Sequence, residues 1–219
     1  MNTCEGHRFE CLGDDLQTIL GVSDRLGLMG GVEHEFLLYV SDGESCTAPL
    51  SIGGAVPLNS EALGGAVAAE AHFIRVEGFA YGHLADEGWI EACAGELLRE
   101  RARLQSKIAI WADVQKKHAS HAVTSDLSLS ELAHGHAFCG ADVLIATGQR
   151  TGSRTELKDV MSLREAGLPV VVGSGVDAED APAIGKSADA LIVGSALKER
   201  GDWRRPVELD RVRSLSETL

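Results

Sequence analysis

The sequence of 219 residues lacks the features that mark several protein classes. Aromatic residues make up only 5% of it, so aliphatic side chains and alanine have to fill the core. Its five cysteines are an odd number without a Cys-x-x-Cys pair, which argues against a disulfide framework or a zinc knuckle. No apolar run reaches about 18 residues, and the first residues contain no apolar signal segment. We therefore expect a cytoplasmic protein without an integral membrane segment, with peripheral membrane association left open.

Basic residues are also few. Twenty Lys and Arg face 33 Asp and Glu, and the net charge of −13 is scattered along the chain. Such a surface repels phosphate backbones, so nucleic acid is not expected as a partner. The sequence has no Walker loop, nucleophile elbow or His-Glu-x-x-His motif, and no cofactor is predicted. His118 and His121 have a spacing that suits a metal if the segment is helical, but no third ligand is evident, and no metal site is predicted.

Short apolar segments alternate with Ala- and Leu-rich amphipathic segments from about residue 35 onward. Short, almost continuously apolar segments are typical of parallel strands that are covered on both faces. The predicted strands are Glu35–Val40, Leu50–Val56, His72–Val76, Ile108–Val114, Asp142–Ala146, Pro169–Val172 and Ala190–Val193, with a weaker one at Arg8–Leu12. The predicted helices are Asp14–Leu28, Ser60–Ala69, Trp89–Gln105, Ser128–Cys139, Leu157–Ala166, Ala178–Lys186 and Leu209–Leu219.

This alternation predicts an α/β fold, built from βαβ units with a parallel sheet. Nearly eight strands favour a closed (β/α)8 TIM barrel over an open doubly wound sheet, with residues 1–219 as one domain. About ten residues separate Val40 from Leu50, too few for a crossover helix with its turns. We therefore expect the N-terminal part of the barrel to be abbreviated.

Glycine-rich turns follow two late strands. Gly173, Ser174 and Gly175 come after the strand that ends at Val172, and Gly194 and Ser195 come after Val193. Glycines let backbone N–H groups approach an anion, and turns after the last strands of a barrel are a frequent phosphate site. We predict that these residues bind phosphate. The alternative is that they are tight turns that need small residues.

A charged segment follows the strand Ile108–Val114. Asp113, Lys116, Lys117 and His118 bring a carboxylate, two ammonium groups and an imidazole to one strand end. Asp113 could act as an acid or base, and either lysine could polarise a carbonyl group or contact phosphate. We predict catalytic residues here, against the alternative of a solvated charged loop.

Arg75 lies within an apolar strand, where a charge is costly unless it is paired or faces a ligand. We count it with the candidate catalytic residues and leave open a structural pair with Glu77. Residues 78–88 are predicted to form a lid, with Asp86 as a substrate contact or a helix-capping acid.

Thr147 and Gly148 open a further small polar loop that suits substrate contact. His134 and His136 flank Gly135 on a predicted helix and are expected at the surface.

A set of motifs, in a fixed order, resembles the BtpA/SgcQ family over roughly residues 50 to 219. These motifs are Phe73–Val76, Asp86–Glu91, Glu96–Arg99, Ala112–His118, Thr147–Gly148, Thr151–Gly152, Val172–Val176 and Val193–Lys198. The resemblance implies a TIM barrel akin to the ribulose-phosphate-binding barrels. It also implies a phosphorylated small molecule as ligand, and in phototrophs a role in the assembly or stability of photosystem I.

The family pattern leaves open whether the chain is an enzyme, for example an isomerase, lyase or aldolase acting on a sugar phosphate. A homo-oligomer or an assembly partner also stays open. Two motifs of the family are missing. Nothing matches its His-Leu-Pro-Pro-Leu-Pro-Gly-like loop, and Ala55–Ser60 lacks the Arg of its Asn-Val-Leu-Arg-Asn-Asp-like motif. We therefore expect binding to be retained ahead of catalysis.

Overall fold

The computed structural model describes residues 51–53, 59–69, 71–86, 88–147, 155–173, 175–202 and 204–218. The strands predicted at Arg8–Leu12 and Glu35–Val40 and the helix predicted at Asp14–Leu28 lie outside this part of the chain.

Six strands form a parallel sheet in the order β1-β2-β5-β7-β8-β9. They are β1 (Ser51–Gly53), β2 (Phe73–Val76), β5 (Ala109–Asp113), β7 (Val143–Ala146), β8 (Val170–Val172) and β9 (Ala190–Leu191). Their carboxyl ends all lie at one edge, as the alternation of strands and helices predicts. This confirms the expected α/β architecture, in which parallel strands alternate with helices as in TIM barrels.

The described residues form six helices, which lie between and after these strands. They are α1 (Asn59–Ala68), α2 (Ala94–Arg103), α3 (Leu129–Phe138), α4 (Leu157–Arg164), α5 (Ala181–Gly185) and α6 (Leu209–Thr218). Three 3-10 turns cover Ala122–Thr124, Ser195–Leu197 and Glu199–Gly201. Among the described helices, none is both long and apolar enough to cross a membrane.

The sheet has two different faces because side chains alternate along each strand. One face packs against the helices and forms the main core, with Leu63, Ile74, Leu97, Ile110 and Leu144 among its buried members. The other, here called the inner face, carries a smaller apolar cluster. Its buried members are Phe73, Trp111, Ile145, Val171, Ala190 and Ile192. In a barrel, this is the face that fills the interior.

A second, antiparallel sheet corrects the prediction for residues 78–93. It has the order β4-β3-β6 and contains β3 (His83–Ala85), β4 (Gly88–Ile90) and β6 (Ala119–Ser120). The predicted helix from Trp89 therefore starts only at Ala94. Gly88 has a φ of +112°, which suits the turn of a hairpin. Asp86 belongs to that turn and does not cap a helix.

Two glycines follow the ends of helices. Gly140 and Gly167 follow α3 and α4 with φ values of +91° and +74°, in the left-handed region. Thr155 does not cap α4, because Glu156 occupies the N-cap position of this helix, without a side-chain cap bond. The Thr155 hydroxyl is buried and has no hydrogen-bond partner within the described structure.

Candidate functional site

Arg75 and Asp113 form a buried ion pair on the inner face. Arg75 lies opposite Trp111 in the register of β2 and β5, so Asp113 is two residues further along the neighbouring strand on the same face. The guanidinium donates twice, from Nε to Oδ1 at 3.2 Å and from a terminal nitrogen to Oδ2 at 3.1 Å. The two side chains are 11% and 1% exposed. This is the bidentate geometry that fixes an arginine most firmly.

Lys116 is buried as well, which contradicts the alternative of a solvated loop at this residue. Its ammonium nitrogen lies 3.1 Å from the Glu77 carboxylate and 3.8 Å from that of Asp86. The lysine side chain is only 7% exposed, whereas Asp86 is 64% exposed. The alternative pairing of Arg75 with Glu77 is therefore wrong, since Glu77 holds Lys116 and Arg75 holds Asp113.

Lys117 and His118 form the turn that leads into β6. Lys117 is half-buried, whereas His118 is exposed and has a φ of +57°, an uncommon conformation for a residue with a side chain. The His118 carbonyl accepts a hydrogen bond from the Asp86 backbone N–H at 3.3 Å. His121 does not share a helix with His118, and its Nε2 lies 2.9 Å from the Lys116 carbonyl oxygen. In the described part of the chain, no three His, Cys, Asp or Glu residues group as metal ligands.

The glycines of the two turns differ in the space around them. A Cβ at Gly173 would lie 2.6 Å from the Cβ of Ile192, so packing alone requires a glycine there. A Cβ at Gly194 would meet no atom of the described residues within 4 Å, so space is open beside this turn. Ser195 starts the 3-10 turn that follows. Phosphate binding at both turns stays a prediction, and beside Gly194 there is space for a ligand.

The rest of the first glycine turn is organised by its own residues. Gly175 has a φ of +81°, and Ser174 lies outside the described residues. The Asp177 carboxylate accepts hydrogen bonds from the backbone N–H groups of Glu179 and Asp180, each at 3.0 Å. Those N–H groups therefore already have an acidic partner, which favours Gly194 as the position of an anion.

Thr147 connects two strand ends. Its hydroxyl donates a hydrogen bond to the backbone carbonyl of Gln115, which links the end of β7 to the charged segment after β5. Gly148, the other residue predicted for this loop, lies outside the described residues. Thr147 thus holds the segment of Lys116 in place, and a contact with substrate stays a prediction.

His136 was expected at the surface, and this is wrong, although His134 is exposed. The His136 side chain is fully buried, with Nδ1 at 2.9 Å from the Leu132 carbonyl oxygen and its ring beside Tyr81. Burial lowers the pKa of His136, while hydrogen bonds to the backbones of Leu132 and Asp113 act in the opposite direction. The histidine therefore braces the strand end that carries Asp113. The sequence signal for this burial is Gly135, a glycine inside a helix. In the structure the Tyr81 hydroxyl packs where a side chain at Gly135 would lie.

Together, these residues give one end of the inner face an unusual chemistry. Two cations and three carboxylates cluster at the carboxyl ends of β2 and β5, and an open glycine turn lies at the carboxyl end of β9. Carboxylates accept hydrogen bonds from hydroxyl and amino groups, and they can move protons. Active sites of parallel α/β folds form at this end of the strands.

Comparison with known sequences decides the family, since the sequence model described as "BtpA family" matches residues 48–219. The chain belongs to the BtpA family. Photosystem I biogenesis protein BtpA of Synechocystis is 36% identical over 154 residues, which cover 68% of this chain and 52% of that protein. An uncharacterized mitochondrial protein of Caenorhabditis elegans is 45% identical over 158 residues, covering 70% and 56%. This BtpA-family chain thus spans little more than half the length of these relatives.

Solved structures resemble this BtpA-family chain at low identity. Phosphoribosyl anthranilate isomerase from Thermus thermophilus aligns with a TM-score of 0.49 and 16% identity, covering 77% of this chain and 69% of the other. Thiamine phosphate pyrophosphorylase from Pyrococcus furiosus aligns with a TM-score of 0.47 and 17% identity, covering 78% and 69%. Neither likeness bears on what this chain binds.

Proposed function

We propose that this BtpA-family chain binds a phosphorylated small molecule at the carboxyl end of its parallel sheet. The phosphate group would lie beside the turn at Gly194, with Gly173, Ser174, Gly175 and Ser195 around it. The rest of the ligand would extend toward Arg75 and Asp113.

One observation carries this proposal: among the described residues, the charged side chains of the inner face lie at one end of it. Phe73 and Trp111 fill that face with stacked rings, whereas Arg75 and Asp113 follow two residues later on the same strands. A buried ion pair is weak evidence for stability, because desolvation of the two charges offsets much of their attraction. A pair kept at the end where parallel α/β folds bind ligands is better explained by ligand binding.

The same residues would serve an enzyme of the isomerase, lyase or aldolase type. Asp113 would exchange a proton with the ligand, Arg75 would hold the carboxylate in place, and Lys116 would polarise a carbonyl group. Lys117 and His118 lie on the turn beside them. Asp86, on the exposed hairpin turn, and Thr147 with Gly148 would contact the substrate from the rim.

A thermal-shift measurement tests the phosphate site. A saturating sugar phosphate at 100 times its Kd would stabilise the native state by about 2.7 kcal/mol. For a domain of this size that corresponds to a Tm rise of roughly 5–10 °C. Gly194→Val should remove the rise, because its methyl groups would occupy the open space at the turn.

Gly64→Val is the matched control. Gly64 is exposed on α1, and a Cβ there would likewise meet no described atom within 4 Å. This variant should keep the full shift. An unchanged shift in Gly194→Val, or no shift of the wild-type chain with any sugar phosphate, would contradict the proposal.

A second candidate is a role in assembling or stabilising photosystem I, as the name of the Synechocystis relative suggests for that protein. An exposed apolar pair favours a docking role. Leu84 and Trp89 face each other across β3 and β4 and are 53% and 58% exposed. The test is photosystem I content in a phototroph deprived of its BtpA-family protein. If Asp113→Ala restores the photosystem I content and Leu84→Ser/Trp89→Ser does not, the result favours an assembly role. If only Leu84→Ser/Trp89→Ser restores it, the result favours ligand chemistry.

A further inference from the structure

We infer that the site selects a ligand with a single phosphate group and a hydroxyl-rich body, and discriminates against bisphosphates. This inference rests on the proposed phosphate site at Gly194. It adds the nature of the ligand's other end, which would lie against the charged cluster of Arg75, Glu77, Asp86, Asp113 and Lys116.

The cluster carries more negative than positive charge. Its two cations, Arg75 and Lys116, face three carboxylates, so the five described side chains sum to one negative charge. Both cations are also engaged: Arg75 by both oxygens of Asp113, and Lys116 by Glu77 with Asp86 beside it. A second phosphate group placed here would have to displace a carboxylate that is already bonded, and it would meet repulsion from the others.

Hydrogen-bond donors suit this end of the site better than anions do. A carboxylate accepts hydrogen bonds at two oxygens, and those of Glu77 and Asp86 are partly exposed. Hydroxyl groups of a sugar can donate to them without disturbing either ion pair. The cluster therefore matches the polyhydroxylated end of a sugar phosphate.

The distance between the two ends fits a small molecule. β5, β7, β8 and β9 are successive neighbours, so Gly194 lies three strands from Asp113 along the sheet. Neighbouring strands are about 4.8 Å apart, which places Asp113 roughly 14 Å and Glu77, at the end of β2, roughly 19 Å from the turn on a flat sheet, and both closer across a curved one. On a sheet that curves as in a barrel, a sugar phosphate bound at the turn would extend toward the cluster, and the second phosphate of a sugar bisphosphate would then lie among the carboxylates.

Isothermal titration with fructose 6-phosphate and fructose 1,6-bisphosphate tests this inference, since the two ligands differ by one phosphate group. We expect the bisphosphate to bind at least tenfold more weakly. Glu77→Gln and Asp86→Asn should each reduce the ratio of the two affinities at least threefold. The Asp86 side chain is 64% exposed, so Asp86→Asn is expected to fold normally and its effect on the ratio reports on binding alone. Glu217→Gln, at an exposed position on α6, is the charge-matched control and should keep the wild-type ratio.

The outcomes separate the two proposals. Equal or tighter binding of the bisphosphate, with both ligands lost in Gly194→Val, would overturn the selectivity and leave the phosphate site standing. If Lys117→Met then weakened only the bisphosphate, Lys117 would be the cation that receives the second phosphate. Failure of both ligands and of inorganic phosphate to bind would overturn the phosphate site, and the selectivity with it.

Discussion

Two layers of the inner face, two residues apart on the same strands, have opposite chemistry. In the lower layer, Phe73 and Trp111 stack with ring centroids 3.7 Å apart and planes within 12°. In the upper layer, Arg75 and Asp113 take the same two strand positions one repeat later. The lower layer stabilises the fold by removing apolar surface from water. The upper layer contributes less stability, because the desolvation of its two charges offsets much of their attraction. The sheet is thus stabilised by one layer and is available for chemistry at the other.

Removal of the lower layer should have the largest effect on stability. Trp111→Ala takes away a buried indole and its stacking partner's contacts, and we expect a loss of about 4 kcal/mol in the free energy of unfolding. Urea denaturation measures it. Trp89→Ala is the matched control, because Trp89 is 58% exposed and its loss should cost less than about 1 kcal/mol. Equal losses in the two variants would show that the inner face is not a packed layer.

The upper layer should respond differently to single and double substitution. Asp113→Ala removes the carboxylate to which the buried Arg75 donates two hydrogen bonds, and we expect a loss of about 3 kcal/mol in the free energy of unfolding. Arg75→Met/Asp113→Leu removes both charges and should recover most of that stability, since apolar residues of similar volume often replace buried ion pairs without loss.

Ligand binding distinguishes a functional ion pair from a structural one. The double variant, although stable, should show no Tm rise with a sugar phosphate if the charges serve the ligand. A double variant that is as unstable as Asp113→Ala would mean that the pair mainly stabilises the fold. A stable double variant with a normal Tm rise would remove Arg75 and Asp113 from the site.

The sequence predicts the lower layer better than the upper one. Strongly apolar segments place β5 to within a residue at each end, since Ile108–Val114 was expected and Ala109–Asp113 is found. Asp113 stands out as a charge at the end of such a strand. The sequence does not show that Arg75 is its partner, because whether Arg75 pairs with Asp113 or with Glu77 depends on the register of β2 against β5. That register brings together residues 38 positions apart and leaves no local pattern.

The antiparallel sheet shows the same limit. Its strands have only two or three residues, and β3 pairs with β6 through Leu84 and Ser120, far apart in the chain. Without that pairing, the segment from Gly88 to Ala94 looks like the start of a helix. His136 was misplaced for a related reason: the ring of Tyr81, from another part of the chain, covers it.

The smallest predicted effect concerns His136, which lies on α3 and connects this helix to the strand end that carries Asp113. Its pKa in the folded state is lowered from 6.5 by burial, so the unfolded chain binds the proton more readily. Unfolding is then favoured as pH falls below about 6.5, and this contribution to stability is complete only above that pH. Between the unfolded and the folded pKa, the loss approaches about 1.4 kcal/mol per pH unit.

Urea denaturation of His136→Gln and His134→Gln between pH 7.5 and pH 5 isolates this contribution, since the scattered carboxylates affect both variants alike. The wild-type chain and His134→Gln, which alters an exposed side chain on the same helix, should lose stability with the same slope. His136→Gln should start from a lower stability and show a shallower slope, because its amide takes up no proton on unfolding. Parallel slopes in all three chains would mean that the pKa of His136 is the same in the folded and the unfolded chain, with the effect of burial offset by its hydrogen bonds to the backbones of Leu132 and Asp113.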